Sequence, residues 1–240
     1  MSVKRTFLIL LLNTIGILFL YTWYPGQTGF WFDLDRGVFY FFNNLLVTSS
    51  AFAYFVAFTN LRVFDAVSFL VMLSVFYCYY RRLDKKQRRF MIFMGITMLI
   101  TAVVMKQFSS LLDIDRPSAT KYFDKILGEK VNYVSAITSW PAKDYSSSCF
   151  PGDHGMFLLI FACFMFKYFG KKAFTIGLMI FIAFSLPRIM SGAHWFTDVA
   201  VGAISFNLLV TVWMLLTPLS DLLINGQVKL FERICSKRKS

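Results

Sequence analysis

Pro187-Arg188-Ile189-Met190-Ser191-Gly192-Ala193-His194-Trp195-Phe196-Thr197-Asp198 runs directly into the apolar stretch 199–217. A run of roughly 18 or more apolar residues reads as a membrane-crossing helix. Five further runs of this kind lie at about 7–23, 63–80, 90–105, 155–169 and 173–190. The chain is 57% hydrophobic and only 16% charged, against about 25% charged in an average soluble domain. The expected fold is all-α: one polytopic membrane bundle of six transmembrane helices over residues 1–240, with no repeat, low-complexity tract or linker. The first run follows Lys4 and Arg5 as in a signal peptide, but no small-x-small cleavage site appears at 21–28, so it reads as an uncleaved anchor.

The net charge of +12 raises the possibility of nucleic acid, but its distribution has a better explanation. With the amino terminus inside, six spans place 16 of the 25 Lys and Arg on the inner side. They lie at 4–5, 81–89, 167–172 and 229–239, with only Asp84, Asp221 and Glu232 among them. The inner side then carries +13 and the rest −1, which is the positive-inside signature. Both termini are expected inside and both histidines, His154 and His194, outside. Segment 38–58 is apolar but interrupted by Asn43, Asn44, Thr48, Ser49 and Ser50. It reads as an interfacial or re-entrant hairpin on the outer face; as a span, it would move the amino terminus outward.

The longest hydrophilic stretch, about 107–152, joins the third and fourth spans. Phe123, Ile126, Leu127, Val131 and Val134 recur in it at helical spacing, which predicts a short amphipathic helix, either at the bilayer surface or packed on the domain. Phe150-Pro151-Gly152-Asp153-His154-Gly155 opens the fourth span, so His154 falls in a first helical turn, where free N–H groups and the macrodipole favour an anion.

His194 and Asp198 are four residues apart and share a face if helical. A carboxylate there fixes the imidazole tautomer and raises the basicity of the other nitrogen, making a nucleophile toward phosphorus. The bland reading is a helix-end ion pair, but an acid at the mouth of a span marks function by default. Arg188 and Arg116 have the fork that binds phosphate oxygens in pairs; the alternative for each is a headgroup anchor. Lys106 reads either as a point charge on the same phosphate or as a side chain reaching back to the interface. Gly152, with Ser148 and Pro151, lets the backbone approach an anion, and Asp153 reads as a helix cap. Cys149 is the one cysteine on the outer side, so no intramolecular disulfide is expected there.

These residues resemble the type 2 phosphatidic acid phosphatase superfamily, whose motifs are K-x6-R-P, P-S-G-H and S-R-x5-H-x3-D. The third is matched by Arg188, His194 and Asp198, with Pro187 in place of serine. The second is matched by Pro151 and His154, with Gly152-Asp153 in place of Ser-Gly. The first is matched by Arg116-Pro117, but Lys106 stands ten residues before Arg116 rather than seven. Stretches 39–43, 59–60, 64–65, 150–156, 168–171, 192–198 and 216–221 resemble the members that phosphorylate lipid A in Gram-negative inner membranes.

The resemblance implies undecaprenyl pyrophosphate as donor, the 1-phosphate of lipid A as acceptor, membrane lipids as surroundings, and a periplasmic site. It implies His194 as nucleophile, Asp198 as its orienting carboxylate and His154 as general acid then base. Arg116, Arg188 and backbone N–H groups near Gly152 would hold the phosphate, through a phosphohistidine with ping-pong kinetics. With both histidines so assigned and no Cys/His ligand spacing, no metal or other cofactor is expected. A phosphatase using water as acceptor, and a lipid transporter reusing the fold, are the competing readings.

Overall fold

The computed structural model describes residues 2–24, 27–112 and 114–237; Arg238 and Lys239 of the basic carboxyl end lie outside the described residues. The helices are α1 (Val3–Trp23), α2 (Gly29–Thr48), α3 (Ser50–Thr59), α4 (Arg62–Tyr80) and α5 (Lys85–Ser110). Then come α6 (Ala119–Lys121, widened into a π turn over Tyr122–Ile126), α7 (Val134–Thr138), α8 (Asp153–Phe169) and α9 (Lys171–Met190). Helix α10 (Asp198–Leu216) and α11 (Leu219–Lys237) complete the chain, and no strand occurs among the described residues.

Helices α1, α4, α5, α9 and α10 are long and apolar enough to cross a membrane. The remaining expected span, α8, has 17 residues, about 25 Å at a rise of ~1.5 Å per residue. Its start is set by Pro151-Gly152, and its end by Gly170, whose φ of 82° turns the chain at once into α9. Leu158, Ile160, Ala162, Phe164 and Met165 are all buried, so α8 is the hub of the bundle rather than a lipid-facing wall. It runs antiparallel against α9 at closest quarters where Gly177 meets Ala162. A Cβ on Gly177 would sit 2.7 Å from Ala162 Cα. Gly177→Ala must therefore push the two helices apart, and is expected to destabilise the protein by about 1–3 kcal/mol. A melt in detergent reads this directly; an unchanged midpoint would show that the pair relaxes without cost.

The segment around 38–58 is helical from Gly29 onward, because Asp33, Asp35 and Arg36 do not break the helix but lengthen it. At Ser49 the chain bends by 117° into α3. Ser49 Oγ accepts from Phe52 N–H at 3.3 Å, capping the second arm. The bent pair closes one end of the bundle: Asn43 exchanges hydrogen bonds with Asn132 in the long connection.

The expected amphipathic helix around 123–134 does not form as one element. Gly128, at φ 67°, interrupts it. Phe123 and Val134 are buried in separate clusters, while Ile126 and Leu127 stay exposed. At the opposite end of the bundle the basic segments gather. Arg5 and Lys167 line one cleft with Pro218 and Asp221, and Arg89 pairs with Glu232 of α11 at 2.8 Å. Helix α11 mixes charged and apolar residues and so contains no long apolar run. It buries Ile224 but exposes Leu222, Leu230, Phe231 and Ile234 beside Lys229 and Arg233, the pattern of a helix lying in a membrane interface.

Candidate active site

Two clusters meet at the end of the bundle opposite the basic loops. The first is built on Asp198, at the start of α10, where the helix opens as a π turn over Asp198–Ala203. Wide turns of this kind recur at functional sites. Asp198 is fully buried. Its Oδ2 accepts from Trp195 N–H at 2.9 Å and lies 3.2 Å from His194 Nδ1; its Oδ1 accepts from Arg116 Nη1 at 2.9 Å. His194 and Asp198 do meet, though not along a helix face. Gly192, at φ 76°, turns the chain out of α9, and His194 lies in the turn before α10.

Behind Asp198 the guanidinium of Arg116 is 2% exposed. Nη2 donates to Asp35 Oδ2 at 2.7 Å, and Nη1 also reaches Thr197 Oγ1 at 2.9 Å. Trp195 and Trp23 flank it with their rings, 4.3 and 5.2 Å from the guanidinium carbon. The Thr197 hydroxyl is saturated: it accepts from Arg116 and from Trp23 Nε1 at 3.0 Å, and donates to Asp35 at 2.5 Å. Counting Arg116, Asp35 and Asp198 together, one negative charge is left over, and it faces His194. In this structure the fork of Arg116, expected to hold phosphate, is turned to two buried carboxylates as a clamp. Its guanidinium is enclosed by carboxylates and indole rings, where an outside phosphate cannot reach it without displacing them.

The second cluster is built on Arg188, which lies in the last turn of α9. It is 5% exposed. Its Nη1 donates to Asn60 Oδ1 at 3.3 Å, and its Nη2 to Asp65 Oδ1. The same Asp65 oxygen lies 3.3 Å from His154 Nε2, in the first turn of α8. Asn60 Nδ2 donates to Pro187 O at 2.9 Å, which ties the end of α3 to the end of α9. His194 N–H donates to Arg188 O at 3.1 Å and joins the two clusters.

Three of the expected site residues have protein partners in this structure. Gly152 N–H donates to Asp198 O at 3.1 Å, so it is taken up inside the protein and is not offered to an anion. What Gly152 supplies is close approach: an added Cβ would stand 3.3 Å from that same carbonyl oxygen. Asp153 is the first residue of α8 and makes no cap bond; it pairs instead with Lys106 Nζ at 2.6 Å. Lys106 is thereby held at the Asp153 side of the site, with its side chain exposed.

Sequence reasoning missed Trp23 and Asp35, and met Asn60 and Asp65 only as parts of matching stretches. A signal for Asp35 existed: Asp35, Phe39, Asn43 and Leu46 recur at helical spacing and are all buried. An acid on an apolar stripe calls for a cation. Cys149, His194 and Asp198 also bring possible metal-ligand atoms within 4.8 Å of one another, a grouping that local Cys/His spacing could not reveal. Burial pushes the Cys149 thiol well above its usual range, and the negative charge of Asp198 adds to this. Its Sγ donates to Arg116 O at 3.2 Å. A protonated thiol beside a guanidinium is a poor cation ligand, so the trio is better suited to hydrogen bonding.

The profile of the PAP2 superfamily matches residues 90–220. The chain is also 47% identical over 218 residues to the lipid A 1-diphosphate synthase of Escherichia coli (strain K12), covering 90% of each. No solved structure matches it. With the family profile spanning more than half of the chain and carrying Arg116, His154, Arg188, His194 and Asp198, this protein belongs to the PAP2 superfamily.

Proposed function

We propose that the chain transfers the terminal phosphoryl group of undecaprenyl pyrophosphate to the 1-phosphate of lipid A, at the periplasmic face of a bacterial inner membrane. The observation that carries the chemistry is the His194–Asp198 contact, sealed from behind by Arg116. With Nδ1 held by the carboxylate, His194 keeps its proton there and presents Nε2 as the nucleophile. Nε2 attacks the terminal phosphorus, and the bridging P–O bond breaks. His154 gives a proton to the leaving undecaprenyl phosphate. The acceptor's phosphate oxygen then attacks the phosphohistidine, and the P–N bond breaks as His154 takes up the acceptor's proton. Arg188 balances the charge on the moving phosphoryl oxygens.

The acceptor is carried over from the name of the Escherichia coli relative, which matches along nearly the whole chain. The orientation is supported by charge: basic segments lie at one end and the site at the other, as positive-inside insertion requires. The test supplies purified protein with polyprenyl pyrophosphate labelled in its terminal phosphate, with and without lipid A. Label is expected in lipid A. Label released only as free phosphate would make the protein a phosphatase, and label left on the donor would make it a carrier.

A further inference from the structure

Asp65 lies in the first turn of α4 with its side chain 42% exposed. Its Oδ1 is met from one side by Arg188 Nη2 and from the other by His154 Nε2, 3.3 Å away. A buried guanidinium and the outer nitrogen of an imidazole thus converge on a single anionic oxygen. That is the donor arrangement a phosphoryl oxygen would find.

Arg188 is fixed, whereas Asp65 and His154 are each 42% exposed. Arg188 is enclosed and its other nitrogen is tied to Asn60, while Asn60 itself is anchored to Val56 O and Pro187 O at 2.9 Å each. Asp65 has no such enclosure. It also differs from Asp198 and Asp35, which are buried and hold several donors each. A carboxylate kept beside a phosphate would repel it, so the two cannot share these donors. We infer that Asp65 is an internal anion that fills the phosphoryl position between Arg188 and His154 in the substrate-free protein, and that incoming phosphate displaces it. The inference rests on the roles given to Arg188 and His154 in the proposed function.

Two consequences follow from competition for one position. The fork of Arg188 stays aligned when no substrate is present. Affinity for any phosphate is lowered by the fraction of molecules in which the carboxylate holds the site. A weakly held anion such as inorganic phosphate loses most, whereas a lipid that is anchored elsewhere in the bundle reaches the site at high effective concentration.

The test compares wild type with Asp65→Asn and Asp65→Ala in detergent. Inorganic phosphate binding is measured by the shift in melting temperature, and inhibition of label transfer by phosphate is measured in parallel. If the carboxylate holds the site in about nine molecules of ten, both variants should bind phosphate about tenfold more tightly. Unchanged or weaker phosphate binding in folded variants overturns the inference. Failure of both variants to fold also overturns it, because a group that substrate must push aside cannot be needed for the fold. Transfer by wild type separates the two levels. Normal transfer with unchanged phosphate affinity in the variants sinks the role of Asp65 alone, whereas no transfer by wild type sinks the functional reading beneath it.

Discussion

His194→Ala is expected to abolish phosphoryl transfer, lowering the rate by at least about 10³-fold while the protein remains folded. The side chain is 14% exposed and its ring contributes one hydrogen bond, to a carboxylate that keeps two other donors without it. Removing it therefore leaves no buried group unsatisfied. Chemically the loss is total: a covalent route ends when its nucleophile is gone, and only direct transfer between lipids remains. The measurement is protein-bound label after brief mixing with labelled donor. Wild type should carry label that is lost in acid and stable in base, as a phosphoramidate is, and the variant should carry none. Wild-type turnover in the variant would remove His194 from the nucleophile's role and return the site to a direct displacement.

The second large effect is structural first and catalytic as its result. Arg116→Ala is expected to cost about 3–5 kcal/mol, the usual penalty for breaking a buried ion pair by removing one partner. Asp35 and Asp198 would be left facing one another, both almost completely buried. One of them must then take up a proton or water must enter. If Asp198 becomes protonated, His194 loses the acceptor that fixes its tautomer, and transfer falls with stability. The double variant Arg116→Ala with Asp35→Asn separates the two effects. It should recover part of the stability, because the like-charge pair is gone, but little activity. Melting in detergent and label transfer on the same samples check both. A fully stable, active Arg116→Ala protein would show that the clamp is dispensable.

Much of the architecture could be read before any coordinates, because spans are written in local composition. The runs at 7–23, 63–80, 90–105, 173–190 and 199–217 each correspond to a helix that is long and apolar enough to cross a membrane. Helix α2 was harder, since Asp33, Asp35 and Arg36 disguise its first turns as a loop. The histidine–aspartate pair was legible for a similar local reason: four residues place the two groups within reach whether the backbone is helix or turn. The burial of Arg116 was not legible because exposure is not local. Its partners Asp35 and Asp198 lie 81 and 82 residues away, and a guanidinium looks the same in sequence whether it faces phosphate or buried carboxylates. The bond made by Gly152 N–H was hidden for a kindred reason, since the carbonyl that takes it belongs to Asp198, distant in sequence though adjacent in space.

Trp23, Asp35, Asn60 and Asp65 all precede residue 90, where the family profile begins. They nevertheless hold the clamp and the arginine fork from outside it. A fragment starting at 90 would keep the His194–Asp198 pair but lose Asp65, which meets His154 and Arg188, and Asp35, which holds Arg116. Swapping catalytic cores between relatives would meet the same obstacle. Any graft of 90–220 has to bring its own matched amino-terminal third, or the transplanted arginines and His154 arrive without their carboxylate partners.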